Sequence, residues 1–93
     1  MPFVEQQPRP FNRAQIEALD GNQYGVYGLH HTRWVYVGKG DIRQRLLDHL
    51  NGDNPCISIM KPTHFVAEVT TNADKREKEL IREFTPTCNQ RIG

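Results

Sequence analysis

Tyr24-Gly25-Val26-Tyr27-Gly28-Leu29-His30-His31-Thr32-Arg33-Trp34-Val35-Tyr36-Val37 is the stretch that decides the fold of this chain. Residues 24–29 and 34–37 are rich in aromatic and β-branched side chains, and His30-His31-Thr32-Arg33 between them reads as a tight connection joining two strands. With the loop centred between His31 and Thr32, Tyr27 falls directly opposite Tyr36. Both side chains then share one face of the sheet, with Cβ atoms about 4.5–5.5 Å apart. The pair is either an ordinary aromatic cross-strand contact or two phenols brought together for chemistry.

Beyond the hairpin, Gly38-Lys39-Gly40 reads as a flexible exit from the second strand. Asp41 is placed to cap a helix whose Ile42, Leu46, Leu47 and Leu50 form one apolar arc. Arg45 and His49 lie four residues apart along one edge of that arc, so both can reach one point beside the sheet. Arg offers a planar fork of donors suited to phosphate oxygens, and His near neutral pH donates, accepts or passes a proton. The plainer reading is a solvated flank in which Arg45 pairs with Asp41 or Asp48 and His49 covers the helix edge.

A second helix, capped by Thr71 or Asn72, is expected over Ala73–Phe84, where Ala73, Glu77, Leu80, Ile81 and Phe84 share one face. The neighbours Lys75, Arg76, Lys78, Glu79, Arg82 and Glu83 form a solvent-facing lattice of alternating charge. Glu77 alone points inward with the apolar residues, and a carboxylate there needs a partner because burying it unpaired is costly. Two readings stand: an ion pair with Arg45, or a ligand for Mg2+, a hard cation that takes a single carboxylate together with waters and a substrate phosphate. Pro86 stops the helix, and Asn89 is suited to turn hydrogen bonds.

The 93 residues are 37% hydrophobic, enough for one domain with one modest core. Pro2, Pro8 and Pro10 make residues 1–10 an extended arm, and Asn12 caps a short helix over 13–19 that Gly21 ends. No apolar run approaches about 18 residues and there is no signal peptide, so the expectation is a soluble, cytoplasmic protein. Twelve basic against eleven acidic residues leave a net charge of +1. Strong nonspecific affinity for DNA is therefore not expected, since neutralising phosphates takes many cations on one surface; Lys39, Arg43, Arg45 and Lys61 can form a local patch. Cys56 and Cys88 are too few and too widely spaced for a metal site, and in a reducing cytoplasm they are expected as separate semi-buried residues rather than a disulfide. His30, His31 and His64 have no carboxylate or Cys at ligand spacing.

Taken in order, Gly25-Val26-Tyr27, Tyr36-Val37-Gly38-Lys39, Arg45-Leu46 with His49, Glu77-Lys78-Glu79-Leu80-Ile81 and Pro86-Thr87-Cys88-Asn89 resemble the successive motifs of the GIY-YIG nuclease family. The likeness is strongest to the incision domain of bacterial nucleotide-excision repair and to small stand-alone members. It covers residues 24–89, with Val in place of Ile in the first two motifs and a slightly shortened segment between Tyr36 and Arg45.

The resemblance implies an α+β fold, a small three-stranded antiparallel sheet flanked by helices. Its third strand would cover His64–Val69, with Phe65, Val66, Ala67 and Val69 as strand core. Residues 1–23 would be an N-terminal arm and 24–93 the catalytic part of a single domain. It also implies a metal-dependent DNA endonuclease that hydrolyses phosphodiester bonds with one Mg2+ or Mn2+, and a place in DNA repair. Glu77 would be the metal ligand, Tyr27 would stand at the attacking water, and Tyr36 and His49 would support that phenol and its proton path. Arg45 would bind the scissile phosphate with Lys39 as a cationic helper, and Asn89 would position a neighbouring group or backbone. Arg45 is chosen over Arg43 because it alone has a His four residues later and follows the Asp-Ile-x-x pattern. No zinc finger, helix-turn-helix or basic tail is present, so specificity would come from DNA structure, a protein partner or a second copy. Two readings compete with a self-sufficient enzyme: a noncatalytic nucleic-acid-binding module on the same fold, and a catalytic subunit that needs another chain.

Overall fold

Thr32 turns the hairpin alone. With left-handed backbone at φ 55°, it joins β2 (Tyr24–His31) directly to β3 (Arg33–Asp41) in a computed structural model that describes residues 3–89. Both strands therefore run to the tip, and Gly38-Lys39-Gly40, expected as an exit loop, is strand paired with residues 25–27. The register also differs from the expected one: Tyr27 faces Gly38 and Leu29 faces Tyr36, while His30 faces Trp34 across an irregularity that makes Val35 an extra residue in β3. Tyr27 and Tyr36 are thus diagonal rather than directly opposed. They still share a face, and their ring centroids are 6.3 Å apart.

The class is α+β, with one antiparallel sheet flanked by helices. β4 (His64–Val69) pairs along the other side of β2, and a two-residue strand β1 (Arg9–Pro10) pairs with β4 to give the order β1-β4-β2-β3. The sheet therefore has one strand more than expected, because the proline-rich arm lies against β4. That arm and the residues after it also enter the packing. Ile16 of α1 (Arg13–Glu17) is fully buried, and Phe3 stacks against both Trp34 and Phe84, whose rings also stack on each other. Val69, expected in the core, is 62% exposed where β4 runs out past the helices.

One face of the sheet is covered by α1, α2 (Ile42–Leu50) and α3 (Pro55–Met60), which close over Tyr27, Leu29 and Phe65. The other is covered by α4 (Ala73–Phe84), whose Ala73 and Leu80 pack on Val26 and Val37. Asp41 caps α2, accepting from the Gln44 N–H at 3.2 Å, and Asn12 caps α1. The sequence reading missed α3, a six-residue helix begun by Pro55 and capped by Asn54, too short for its periodicity to register.

Two side-chain carboxamides finish the sheet. Beyond the end of β1, Gln6 donates to the Ala67 carbonyl at 2.7 Å and accepts from the Ala67 N–H at 3.0 Å. On β3, Asn89 accepts from the Val37 N–H at 2.7 Å and donates to the Val37 carbonyl at 2.9 Å. Asn89 lies in a 3-10 turn, Thr87–Asn89, so its contact is with strand backbone rather than with its own turn.

Two expectations about side chains fail for the same reason, that residues distant in sequence meet in the fold. Arg76 is not in a solvent-facing lattice. It lies largely buried against the sheet, where Glu68 on β4 accepts from its Nε at 2.7 Å and from its Nη2 at 2.9 Å. Cys56 and Cys88 are joined in a disulfide with Cα atoms 5.7 Å apart, within the range that bond requires. α3 and the 3-10 turn carry them together beneath α2 and β3, a proximity that the 32-residue separation hides.

Candidate active site

The α2 face of the hairpin gathers four of the expected residues. Tyr27 has no exposed surface, and its phenol oxygen is 2.7 Å from Nε2 of His49, itself 3% exposed. The imidazole edge meets the Tyr36 ring at a centroid distance of 5.1 Å, and Tyr36 is only half-buried. Arg45, one turn before His49, lies beside the Tyr27 phenol and places Nη1 3.0 Å from Asp48 and 3.7 Å from Asp53. Its neighbour Arg43 has a buried Nε that meets no hydrogen-bond partner among the described residues, and it is not part of this group.

Burial pushes the Tyr27 phenol well above its usual pKa; Tyr36 adds to the shift and Arg45 opposes it. Burial also lowers the His49 imidazole, against the raising effect of the Asp53 carboxylate. Both groups are therefore uncharged at neutral pH.

Gly38 makes this grouping possible. A Cβ there would press on the Tyr27 hydroxyl, standing 2.6 Å from the phenol Cζ and 2.8 Å from Cε2 of Tyr36. Gly40, at φ 131°, gives Arg45 the same clearance on the next turn of the pleat, where a Cβ would come within 3.2 Å of Arg45 Cγ. Gly38→Ala should therefore destabilise the protein by about 1–3 kcal/mol through overpacking. The melting temperature should fall by on the order of 10 °C. An unchanged melting curve would mean that the rings move aside freely.

Lys39, between the two glycines, points the other way. It is paired with Val26, whose side chain packs against α4, so Lys39 shares that face. There its ammonium meets Asp74, and Glu77 at 3.7 Å. The Asp74 contact raises the Lys39 pKa and lowers that of Asp74. Glu77 is mostly buried, with 21% of its side chain exposed against 77% for Asp74. The expected ion pair between Glu77 and Arg45 does not form: the two lie on opposite faces of the sheet, separated at the edge by β3.

The expected residues thus fall into two groups, Tyr27, Tyr36, Arg45 and His49 on one face and Lys39 with Glu77 on the other, joined by three consecutive residues of β3. Asn89 pins the same strand at Val37. Asp53 was missed. Its Oδ1 is 2.7 Å from His49 Nδ1, an i,i+4 contact formed after α2 has ended, through an Asn51-Gly52 turn with Gly52 at φ 90°. The one available signal was that turn dipeptide, which says that the chain reverses but not what it returns to.

The Asp74, Glu77 and Lys39 group can be weighed as a cation site. Two hard carboxylates one turn apart on α4 already share a positive charge, and Glu77 is shielded enough to favour a cation over water. Among the described residues no three His, Cys, Asp or Glu side chains cluster as a metal cage. The donor set therefore fits an ion that takes one or two carboxylates and fills its other positions with water and phosphate, as Mg2+ does.

No protein-family model matches the chain, and no curated protein does. A solved structure does: the N-terminal GIY-YIG endonuclease domain of UvrC from Thermotoga maritima, crystallised as a tyrosine-to-phenylalanine point mutant bound to its catalytic divalent cation. The TM-score is 0.69 at 24% identity, over 86% of this chain and 100% of that one. The fold is GIY-YIG-like. Among the described residues, no helix is long and apolar enough to cross a membrane.

Proposed function

We propose that this chain is a divalent-metal-dependent DNA endonuclease whose active site straddles the β3 edge at Gly38-Lys39-Gly40. The observation that carries the reading is the convergence of a guanidinium, two phenols and an imidazole on one side of that strand with a shielded carboxylate on the other. The likeness to an endonuclease domain that holds a divalent cation supports it.

In this reading a DNA phosphate lies at the edge of β3, beside the Arg45 guanidinium that Gly40 leaves room for. Arg45 exchanges its surface contact with Asp48 for the phosphate oxygens and stabilises the charge that develops as water adds to phosphorus. Water attack needs a base. Tyr27 was expected at the attacking water, as the base or its immediate partner; having no exposed surface, it suits the partner's part, and the half-buried Tyr36 is the better candidate for the base. A free phenol, with a pKa of about 10, is a weak base at pH 7, and its proton leaves more readily beside a cation. Glu77, with Asp74 at the margin, would hold Mg2+ or Mn2+. Bound there, the ion would supply Lewis-acid stabilisation and orient the phosphate. Lys39, displaced from the carboxylates, remains as a second cation beside the substrate.

The fold alone is equally compatible with a noncatalytic DNA-binding module, and the shielded Glu77 favours the enzyme, since an inward carboxylate adds little to a structure that has no use for it. In a reducing cytoplasm Cys56 and Cys88 would stand as thiols, and in an oxidising compartment as the bond; the reaction needs neither state. Specificity is assigned to DNA structure, a partner chain or a second copy.

A plasmid assay tests the proposal. Supercoiled DNA should be nicked with Mg2+ or Mn2+ and left intact with chelator. Tyr36→Phe should lower the rate by about 10^2–10^4-fold in a protein that remains folded. Binding of DNA with no cleavage under any divalent metal would establish the module instead.

A further inference from the structure

Tyr27, His49 and Asp53 form a chain of two 2.7 Å hydrogen bonds that begins at the protein surface and ends beside Arg45. Its direction follows from its outer end. A carboxylate only accepts, so the proton of the neutral His49 ring sits on Nδ1, facing Asp53. Nε2 then has only a lone pair to offer, so the Tyr27 hydroxyl must donate to it. With its proton committed to His49, the phenol oxygen turns its lone pairs outward, toward the guanidinium of Arg45, which only donates.

The opposite tautomer would reverse this. Nε2–H would donate to the phenol, and the phenol proton would swing toward Arg45, setting donor against donor. Tyr36 from β3, by its ring, and Asp48 from α2 also face this group; the carboxylate at His49 Nδ1 is that of Asp53.

We propose that Asp53 is a positioning residue which, through His49 and Tyr27, fixes the hydrogen-bond polarity that seats Arg45 for phosphate. The inference rests on the nuclease reading for its consequence, but the tautomer it requires is a property of the free protein. It accounts for the burial of Tyr27, since a phenol that orients a guanidinium needs no access to water. It also gives the second oxygen of Asp53, 3.7 Å from Arg45, the same target from the other side.

Two measurements test it. Nitrogen-15 NMR of the free protein should show His49 protonated at Nδ1 and bare at Nε2, a preference that Asp53→Asn should lose because an amide can donate as well as accept. In the plasmid assay Asp53→Asn should lower cleavage at saturating DNA about tenfold or more. In a Tyr27→Phe background the loss should shrink to about two- to threefold, because the chain is already cut there and only the long contact of Asp53 with Arg45 remains to be lost. A wild-type His49 protonated at Nε2 would overturn the inference, as would an Asp53→Asn variant that cleaves like wild type or a double variant in which the two losses multiply. A wild type that cleaves nothing would remove the nuclease reading, and the NMR result alone would then decide the tautomer.

Discussion

Glu77→Gln is expected to abolish divalent-metal binding, and plasmid nicking with it, in a protein that remains folded. The side chain keeps its volume, so the packing around it is undisturbed. What is lost is a contact with Lys39 at 3.7 Å, a side chain that is itself 37% exposed. Pairs of that kind contribute about 0–1 kcal/mol, so the melting temperature should move by a few degrees at most. The metal is affected differently. A neutral amide oxygen is a far weaker donor to a hard cation, and Asp74, 77% exposed, cannot replace a shielded carboxylate. Calorimetric titration with Mn2+ should show saturable binding to the wild type and none to the variant, while DNA affinity stays within a few fold. A Gln variant that nicks at the wild-type rate would leave Glu77 as the ion-pair partner of Lys39 and nothing more.

Arg45→Ala should lower cleavage by about 10^3-fold or more, the cost of removing a guanidinium from charge that develops in a phosphoryl-transfer transition state. Its partners in the free protein are the partly exposed Asp48 and Asp53 and the Tyr27 phenol oxygen, which keeps its bond to His49, so only about 1 kcal/mol of stability is at stake. Arg43→Ala is the control. Arg43 lies outside the Tyr27, Tyr36 and His49 group, and its loss should leave the rate within a few fold. An inactive Arg43→Ala beside an active Arg45→Ala would mean that the phosphate is held elsewhere on α2.

The hairpin shows why the tyrosines could be read correctly through a wrong register. The turn is centred on Thr32, half a residue beyond the expected point, which moves each partner by one residue, and the bulge at Val35 moves it by one more. Two single-residue displacements in the same direction make an even shift, and an even shift keeps every side chain on its face. His49 and Arg45 were legible because α2 has a clear apolar arc and a capping Asp41. Glu77 was legible as an inward carboxylate, but not its partner: helical periodicity fixes which way a residue faces and leaves open which face of the sheet the helix covers. Asp53, the Glu68–Arg76 pair and Cys56–Cys88 were illegible for one reason. Each joins segments whose meeting is decided by the tertiary path, and no periodicity crosses a turn.

Gln6 and Asn89 perform one task at opposite margins of the sheet. A strand with a free side is a template on which another chain can extend the sheet, and natural proteins block such sides. Here each blocker is a carboxamide, a peptide group carried on a side chain, occupying the N–H and C=O of one residue as an incoming strand would. Val37 is the midpoint of the nine-residue β3, so an intruding strand would find its register interrupted at the centre. On the far side, Ala67 is occupied in the same way and β1 carries Pro10, which has no N–H to offer. A chain defended at both margins resists amyloid-like stacking and strand exchange, and any second copy or partner is left the helical surfaces on which to dock.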